Sequence, residues 1–182
     1  HRLIIYDKLL PAGRLREPQS GKNRADIVII TKCPTDLKPM EFRVLTKAMN
    51  LYPYQSLFFT TIEYGELQPF NTTDGKLALN KEHLASKHVL LLTGIASPKQ
   101  IILDIKPHAK TAPAKYQYVL KTPAVTANKD AEKINATFNA MKGEKIIVTT
   151  EKDAARLEGL TGLSEEVKQN LYVLPIKVKF ML

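Results

Sequence analysis

Apolar and polar positions along the chain switch between two periods. Short runs rich in β-branched residues at 26–31, 55–62, 88–93 and 145–149 have the length and composition of buried strands. A run at 171–180, broken at Pro175, reads as a strand or a pair of strands, and 3–6 as a short one. Between them lie stretches with helical spacing. Thr35 or Asp36 caps a helix reaching about Asn50, with Met40, Val44 and Leu51 along one face. Ser97 caps another, with Pro98 at its first position and Ile101, Ile102 and Ile105 forming its apolar side. A third, at 130–141, buries Ile134, Phe138 and Met141, and a fourth opens at Thr150 or Glu151. This alternation predicts an α/β fold: a mostly parallel, Rossmann-like sheet with helices on both faces, in a single domain spanning 1–182. Residues 64–81 form a hairpin-like insert with Thr73-Asp74-Gly75-Lys76 at its tip, and 106–126 surround one weak strand at 116–120.

Sheets of this kind bind ligands beyond the carboxyl ends of their strands. Several predicted strands end in hydroxyls: Thr31 before Lys32, Thr60-Thr61, Thr93 before Gly94, and Thr149-Thr150 before Glu151-Lys152-Asp153. One shared edge for Thr31, Thr93 and Thr149 is the expectation. Lys32, Gly94, Thr149, Thr150, Lys152 and Asp153 are the candidate phosphate-binding residues, since a glycine admits close backbone approach and free helix amides attract anions. Threonine also suits strands and caps in its own right, and capping is an equally physical role for Thr150 and Asp153.

Charge sharpens this picture. The 182 residues carry 27 Lys+Arg against 18 Asp+Glu, a net +9, which draws phosphate-bearing partners. Arg2, Lys8, Arg14, Arg16, Lys22 and Arg24 crowd the first 25 positions. Within them the loop Pro11-Ala12-Gly13-Arg14-Leu15-Arg16-Glu17-Pro18 sets two arginines two apart. In extended chain both then point one way, and guanidinium forks suit phosphate oxygens. Glu17 beside them can orient one of the pair. A solvated basic loop is the plainer alternative.

Other classes are excluded or weakened. No apolar run reaches the roughly 18 residues of a membrane span. The one cysteine, Cys33, forms no internal disulfide and no multi-cysteine zinc site; a buried, small apolar role is the ordinary one for it. The four histidines lack metal-ligand spacing, so no metal site is predicted. No G-x-x-x-x-G-K-[ST] loop is present. Six Phe, seven Tyr and no Trp, with few close pairs, argue against a nucleic-acid stacking surface.

Four motifs in order carry a resemblance. Residues 10–18, then Arg24-Ala-Asp-Ile-Val-Ile-Ile-Thr-Lys-Cys-Pro34, then Thr93-Gly-Ile-Ala-Ser-Pro98, then Thr149-Thr-Glu-Lys-Asp-Ala-Ala-Arg-Leu157 resemble the tetraacyldisaccharide 4′-kinases, the lipid A 4′-kinases of Gram-negative bacteria, in wording nearest the Bacteroidetes branch. The resemblance implies a kinase that moves the γ-phosphate of ATP, with Mg²⁺, onto the 4′-hydroxyl of a tetraacyldisaccharide 1-phosphate at the cytoplasmic face of the inner membrane. It implies that Arg14, Arg16 and Glu17 are catalytic. It also implies that this chain is the carboxy-terminal portion of a longer kinase whose phosphate loop and acidic Mg²⁺ site lie upstream, so the segment alone holds no cofactor and is inactive. The partners it implies are the lipid A disaccharide precursor, the membrane surface and the amino-terminal half of the same polypeptide. An Asp-His-His element usual in the family has no match at Thr122-Pro-Ala-Val-Thr126. From the residues alone, a basic anion- or nucleotide-binding α/β module without catalysis is the competing reading.

Overall fold

The computed structural model describes residues 3–71, 75–94, 98–109 and 127–181. Thr73 and Asp74 of the insert's tip, the expected cap Ser97 and the expected strand at 116–120 lie outside these residues, as do Thr122 to Thr126. Among the described residues seven strands form two sheets, in two compact units: residues 1–63 with 177–182, and residues 64–176.

In the first unit, β1 (Ile27–Ile30) runs parallel to β2 (Ser56–Tyr64), and β7 (Ile176–Phe180) lies on the other side of β2. Between β1 and β2 the chain forms α1 (Pro39–Met49), with Pro39 pre-set for a first turn and the Glu41 carboxylate accepting the Lys38 N–H at 2.7 Å. Two expectations change here. The apolar side of α1 is Phe42, Leu45 and Met49, which pack on Ile30 and Phe59, while Met40 and Val44 face out. Residues 4–6 form a 3-10 turn instead of a strand.

In the second unit the sheet order is β3-β6-β5-β4, built from β3 (Gln68–Pro69), β4 (His88–Leu92), β5 (Lys145–Thr150) and β6 (Leu171–Leu174). β4–β5 and β5–β6 are parallel, and short β3 is antiparallel to β6. Side-chain alternation divides the core. Leu90, Leu92 and Ile147 point to Ile134 and Phe138 of α3 (Ala127–Ala140), Leu157 of α4 (Glu151–Glu158) and Val167 of α5 (Glu165–Gln169). Val89, Leu91, Ile146 and Val148 point to Ile101 and Ile105 of α2 (Lys99–Ile105). Helices therefore cover both faces, as a parallel sheet requires. The expected insert is tied by a Leu67–Leu79 bridge and donates β3 to the sheet edge.

The α/β class stands, with sheets that are partly parallel. The three threonines do not share one sheet edge: Thr93 and Thr149 belong to one sheet, and Thr31 follows a strand of the other. The reason is pairing. β4 takes β5 as its neighbour, not β2, and Pro175 sends β6 and β7 into different sheets. A continuous apolar run states that a strand is buried, not which strand lies beside it.

Candidate functional site

The basic loop of the first unit is ordered by backbone contacts. Leu15 N–H donates to Lys8 C=O, and Leu10 N–H to Leu15 C=O, both at 3.0 Å. The Asp7 carboxylate accepts the N–H groups of Lys8 and Arg14 at 2.9 and 3.2 Å. The Gln19 side-chain amide donates to the carbonyls of Ile5 and Asp7. Gly13 is required: a Cβ there would stand 2.1 Å from the Lys8 carbonyl oxygen and 2.6 Å from Asp7 Oδ1. The loop thus presents Arg14 and Arg16 from a fixed backbone. Both side chains are exposed, and half-buried Leu15 lies between them. Neither guanidinium is ion-paired to another described residue.

Glu17 is placed differently from the expectation. It pairs with Arg24, not Arg14 or Arg16, in an exposed contact at the surface. Arg24 is seven residues away, so local spacing gave no signal for it. Asp7, Gly13 and Gln19, the residues that shape the loop, were also missed; a lone Asp-Lys before a Gly-containing turn was the only available hint.

Lys32 is exposed just past β1 and holds a left-handed backbone, φ 58°. It lines a cavity of about 830 Å³ with Thr31, Cys33 and Lys22. Cys33 is buried, its N–H bonded to the Thr60 carbonyl and its carbonyl to the Thr61 hydroxyl, and burial pushes its thiol pKa up. This is the small apolar role expected of it.

In the second unit, the turns after β4 and β5 meet on one carboxylate. Asp153 is wholly buried. Its Oδ2 accepts from the Thr93 hydroxyl, the Gly94 N–H and the Thr150 hydroxyl, each at 2.9 Å. Thr150 caps α4 by accepting the Asp153 N–H at 3.2 Å. Arg156 lies 3.4 Å from Asp153 Oδ1, and the Thr149 hydroxyl donates to the Leu92 carbonyl at 2.8 Å. Of the donors expected to hold a phosphate, the Gly94 N–H and the Thr149 and Thr150 hydroxyls are engaged within the protein. The anion at this turn is its own aspartate. Thr149, Thr150, Gly94 and Asp153 act here as a latch between strand ends, while Lys152 stays exposed on the first turn of α4. Thr93 was missing from the expected set because sixty residues of chain separate it from Asp153; Arg156, only three residues on, lay within reach of helical spacing.

Among the described residues no group of three or more His, Cys, Asp or Glu is placed to hold a metal ion. No helix among them is long and apolar enough to cross a membrane.

The class follows from the fold. Two α/β units with parallel strands and strand-to-helix turns share their fold with a crystal structure of LpxK from Aquifex aeolicus in complex with ATP, at TM-score 0.51 and 22% identity, covering 96% of this chain and 44% of that one. The sequence comparisons are more particular. A model of the family described as tetraacyldisaccharide-1-P 4′-kinase matches residues 1–181, and the chain belongs to that family. It is similar to the tetraacyldisaccharide 4′-kinases of Phocaeicola vulgatus, 46% identical over 187 residues, and Bacteroides thetaiotaomicron, 44% over 190, in each case over 100% of this chain and 49% of the relative. That of Parabacteroides distasonis is 39% identical over 181 residues, 99% of this chain and 48% of the relative. The chain spans about half the length of the curated relatives it matches.

Proposed function

We propose that this chain is the carboxy-terminal portion of a lipid A 4′-kinase. That kinase transfers the γ-phosphate of ATP, with Mg²⁺, to the 4′-hydroxyl of tetraacyldisaccharide 1-phosphate at the cytoplasmic face of the inner membrane. The observation that carries this reading is the family match across residues 1–181. The described carboxylates offer no cluster for Mg²⁺, so no step here runs through that ion. This chain contributes positive charge. Arg14 and Arg16 face solvent from a pinned loop, and phosphoryl transfer depends on cations positioned where charge develops. Lys32 and Lys152, both exposed, keep the phosphate-binding role expected of them. Glu17 pairs with Arg24 rather than with either arginine, so we place the catalytic charge on Arg14 and Arg16 alone. The 182-residue chain contains no G-x-x-x-x-G-K-[ST] loop, and by itself it turns over no ATP.

The test is steady-state kinetics of Arg14→Ala and Arg16→Ala in the full-length kinase, with unfolding temperatures measured alongside. Loss of one positioned cation lowers kcat about a hundred- to a thousandfold, or roughly 2.7–4 kcal/mol. Lysine at either position restores only part of it, because ammonium lacks the planar fork. A raised KM with kcat intact reduces the loop to a docking surface. An inactive full-length protein that binds phosphates or nucleotides without turnover favours the non-catalytic module.

A further inference from the structure

The loop that presents Arg14 and Arg16 carries a second chemistry at its tip. Leu9-Leu10-Pro11-Ala12 holds no charged or hydrogen-bonding side chain, and all four residues are exposed. Leu10 is 62% exposed and Leu9 44%. A contiguous apolar cap on a fixed loop marks a contact surface. The tip's backbone is largely closed on itself. The Leu10 N–H donates to the Leu15 carbonyl at 3.0 Å and the Gly13 N–H to the Leu9 carbonyl at 2.9 Å, and Pro11 has no N–H. Such a tip leaves water with few donors to strip. Its collar is cationic. Lys8 precedes it, Arg14 and Arg16 follow, and all three side chains are exposed. The nearby acids are engaged elsewhere: Asp7 accepts the backbone N–H groups of Lys8 and Arg14, and Glu17 pairs with Arg24.

We propose that this tip docks on an anionic bilayer. Leu9, Leu10, Pro11 and Ala12 enter the boundary between headgroups and acyl chains, and Lys8, Arg14 and Arg16 meet the headgroup phosphates around them. The two match layer by layer. A bilayer sets apolar matter beneath a sheet of phosphates, and the loop sets an apolar cap beyond a ring of cations. A protein partner would have to bring an apolar pocket rimmed by acids, and it would gain few backbone hydrogen bonds from a tip whose donors are already used. Docking orders little, because Asp7 and the close packing at Gly13 already hold the loop. The inference rests on the reading of this chain as part of a kinase acting on a lipid, and deepens it: the same loop that grips the bilayer holds its two arginines at the level of lipid phosphates.

The experiment uses the full-length kinase carrying an environment-sensitive fluorophore on Leu10→Cys, with Leu103→Cys, an exposed apolar position on α2, as control. Vesicles contain phosphatidylglycerol in phosphatidylethanolamine, or phosphatidylcholine alone. On the anionic vesicles the label at position 10 is expected to brighten severalfold and to be quenched by lipids brominated on the acyl chain, while the control stays dim. The double variant Leu9→Ser/Leu10→Ser is expected to bind those vesicles at least about tenfold more weakly, with its unfolding temperature unchanged. In the unsubstituted enzyme, amide exchange across 8–15 is expected to slow on anionic vesicles, which keeps the test valid should a variant misfold. A label that stays dim, or exchange that does not change, overturns the proposal. So does a label already bright without lipid, which assigns the tip to another part of the polypeptide. So does one that brightens only when tetraacyldisaccharide 1-phosphate is added, which assigns the tip to the substrate's own chains. A 4′-kinase assay on the unsubstituted enzyme separates the two readings. An active enzyme with a dim label defeats the docking alone, and a bright label in a protein without 4′-kinase activity defeats the functional reading alone.

Discussion

Replacing Asp153 by alanine tests whether one buried carboxylate holds two strand ends together. Its Oδ2 takes hydrogen bonds from Thr93, Gly94 and Thr150, and both threonines are buried. Hydrogen bonds to a charged acceptor contribute about 1.5–3 kcal/mol each, and a buried donor left without a partner costs about 1–3 kcal/mol. The full sum is not reached. Gly94 is only half-buried, so water replaces part of its bond. The Thr150 hydroxyl can turn, and removing a buried charge recovers desolvation. A further ~0.5 kcal/mol is lost because Asp153 sits in the first turn of α4, where negative charge favours the helix. The net expectation is about 3–4 kcal/mol. At a urea m-value of about 2 kcal/mol/M that lowers the midpoint by ~1.5–2 M, read by far-UV circular dichroism. Asp153→Asn keeps one oxygen for the three donors but turns an amide toward Arg156, and is expected to lose about half as much. Thr93→Val in the Asp153→Ala background should cost less than it does alone, since the acceptor is already gone. Strict additivity of the pair, or an Asp153→Ala loss below about 1 kcal/mol, refutes the latch.

Other expectations are as direct. Gly13→Ala forces the loop open, because Lys8 and Asp7 occupy the space a Cβ needs; kcat of the full-length kinase should fall nearly as far as for Arg14→Ala, with little change in unfolding temperature. Glu17→Gln loses only an exposed pair with Arg24 and should leave stability within about 0.5 kcal/mol and kcat within about twofold, measured by thermal unfolding and steady-state kinetics. Burial raises the Cys33 pKa above its ordinary 9.0, so the unfolded chain gives up this proton first. The associated stability is complete below about pH 9 and declines as pH rises further; Cys33→Ala should flatten that decline in a pH series of urea midpoints.

The amino-acid order made the second unit legible and the first only partly so. β4 is apolar at four of its five positions and β5 holds Ile146-Ile147-Val148 without a polar break, which marks strands covered on both faces, and Thr150 before an acidic turn marked the cap of α4. In α1 the expected face of Met40 and Val44 competes with Phe42, Leu45 and Met49, while Leu51, just past the helix, packs with the second set. Periodicity does not decide between them; β1 and β2 do, by offering Ile30 and Phe59 to the second set. The Asp153 latch was half visible. Its partnership with Thr150 spans three residues and suited a cap, but its hold on Thr93 and Gly94 exists only once β4 lies beside β5. The arginine pair was legible as charge, whereas Glu17's true partner depended on the course of the chain to Arg24.

The first unit is assembled from two separated stretches, and the second from the single run between them. On a ribosome this orders events. β1, α1 and β2 emerge first, but the third strand of their sheet leaves only after Tyr64–Ile176 has been made, a wait of about 6–20 s at ordinary elongation rates. During that wait the flank of β2 that will receive β7 is an open template, and the second unit can finish folding before it closes. Chaperone capture and premature strand exchange between nascent chains should therefore concentrate on residues 56–64, and should fade as the codons for residues 176–180 are read.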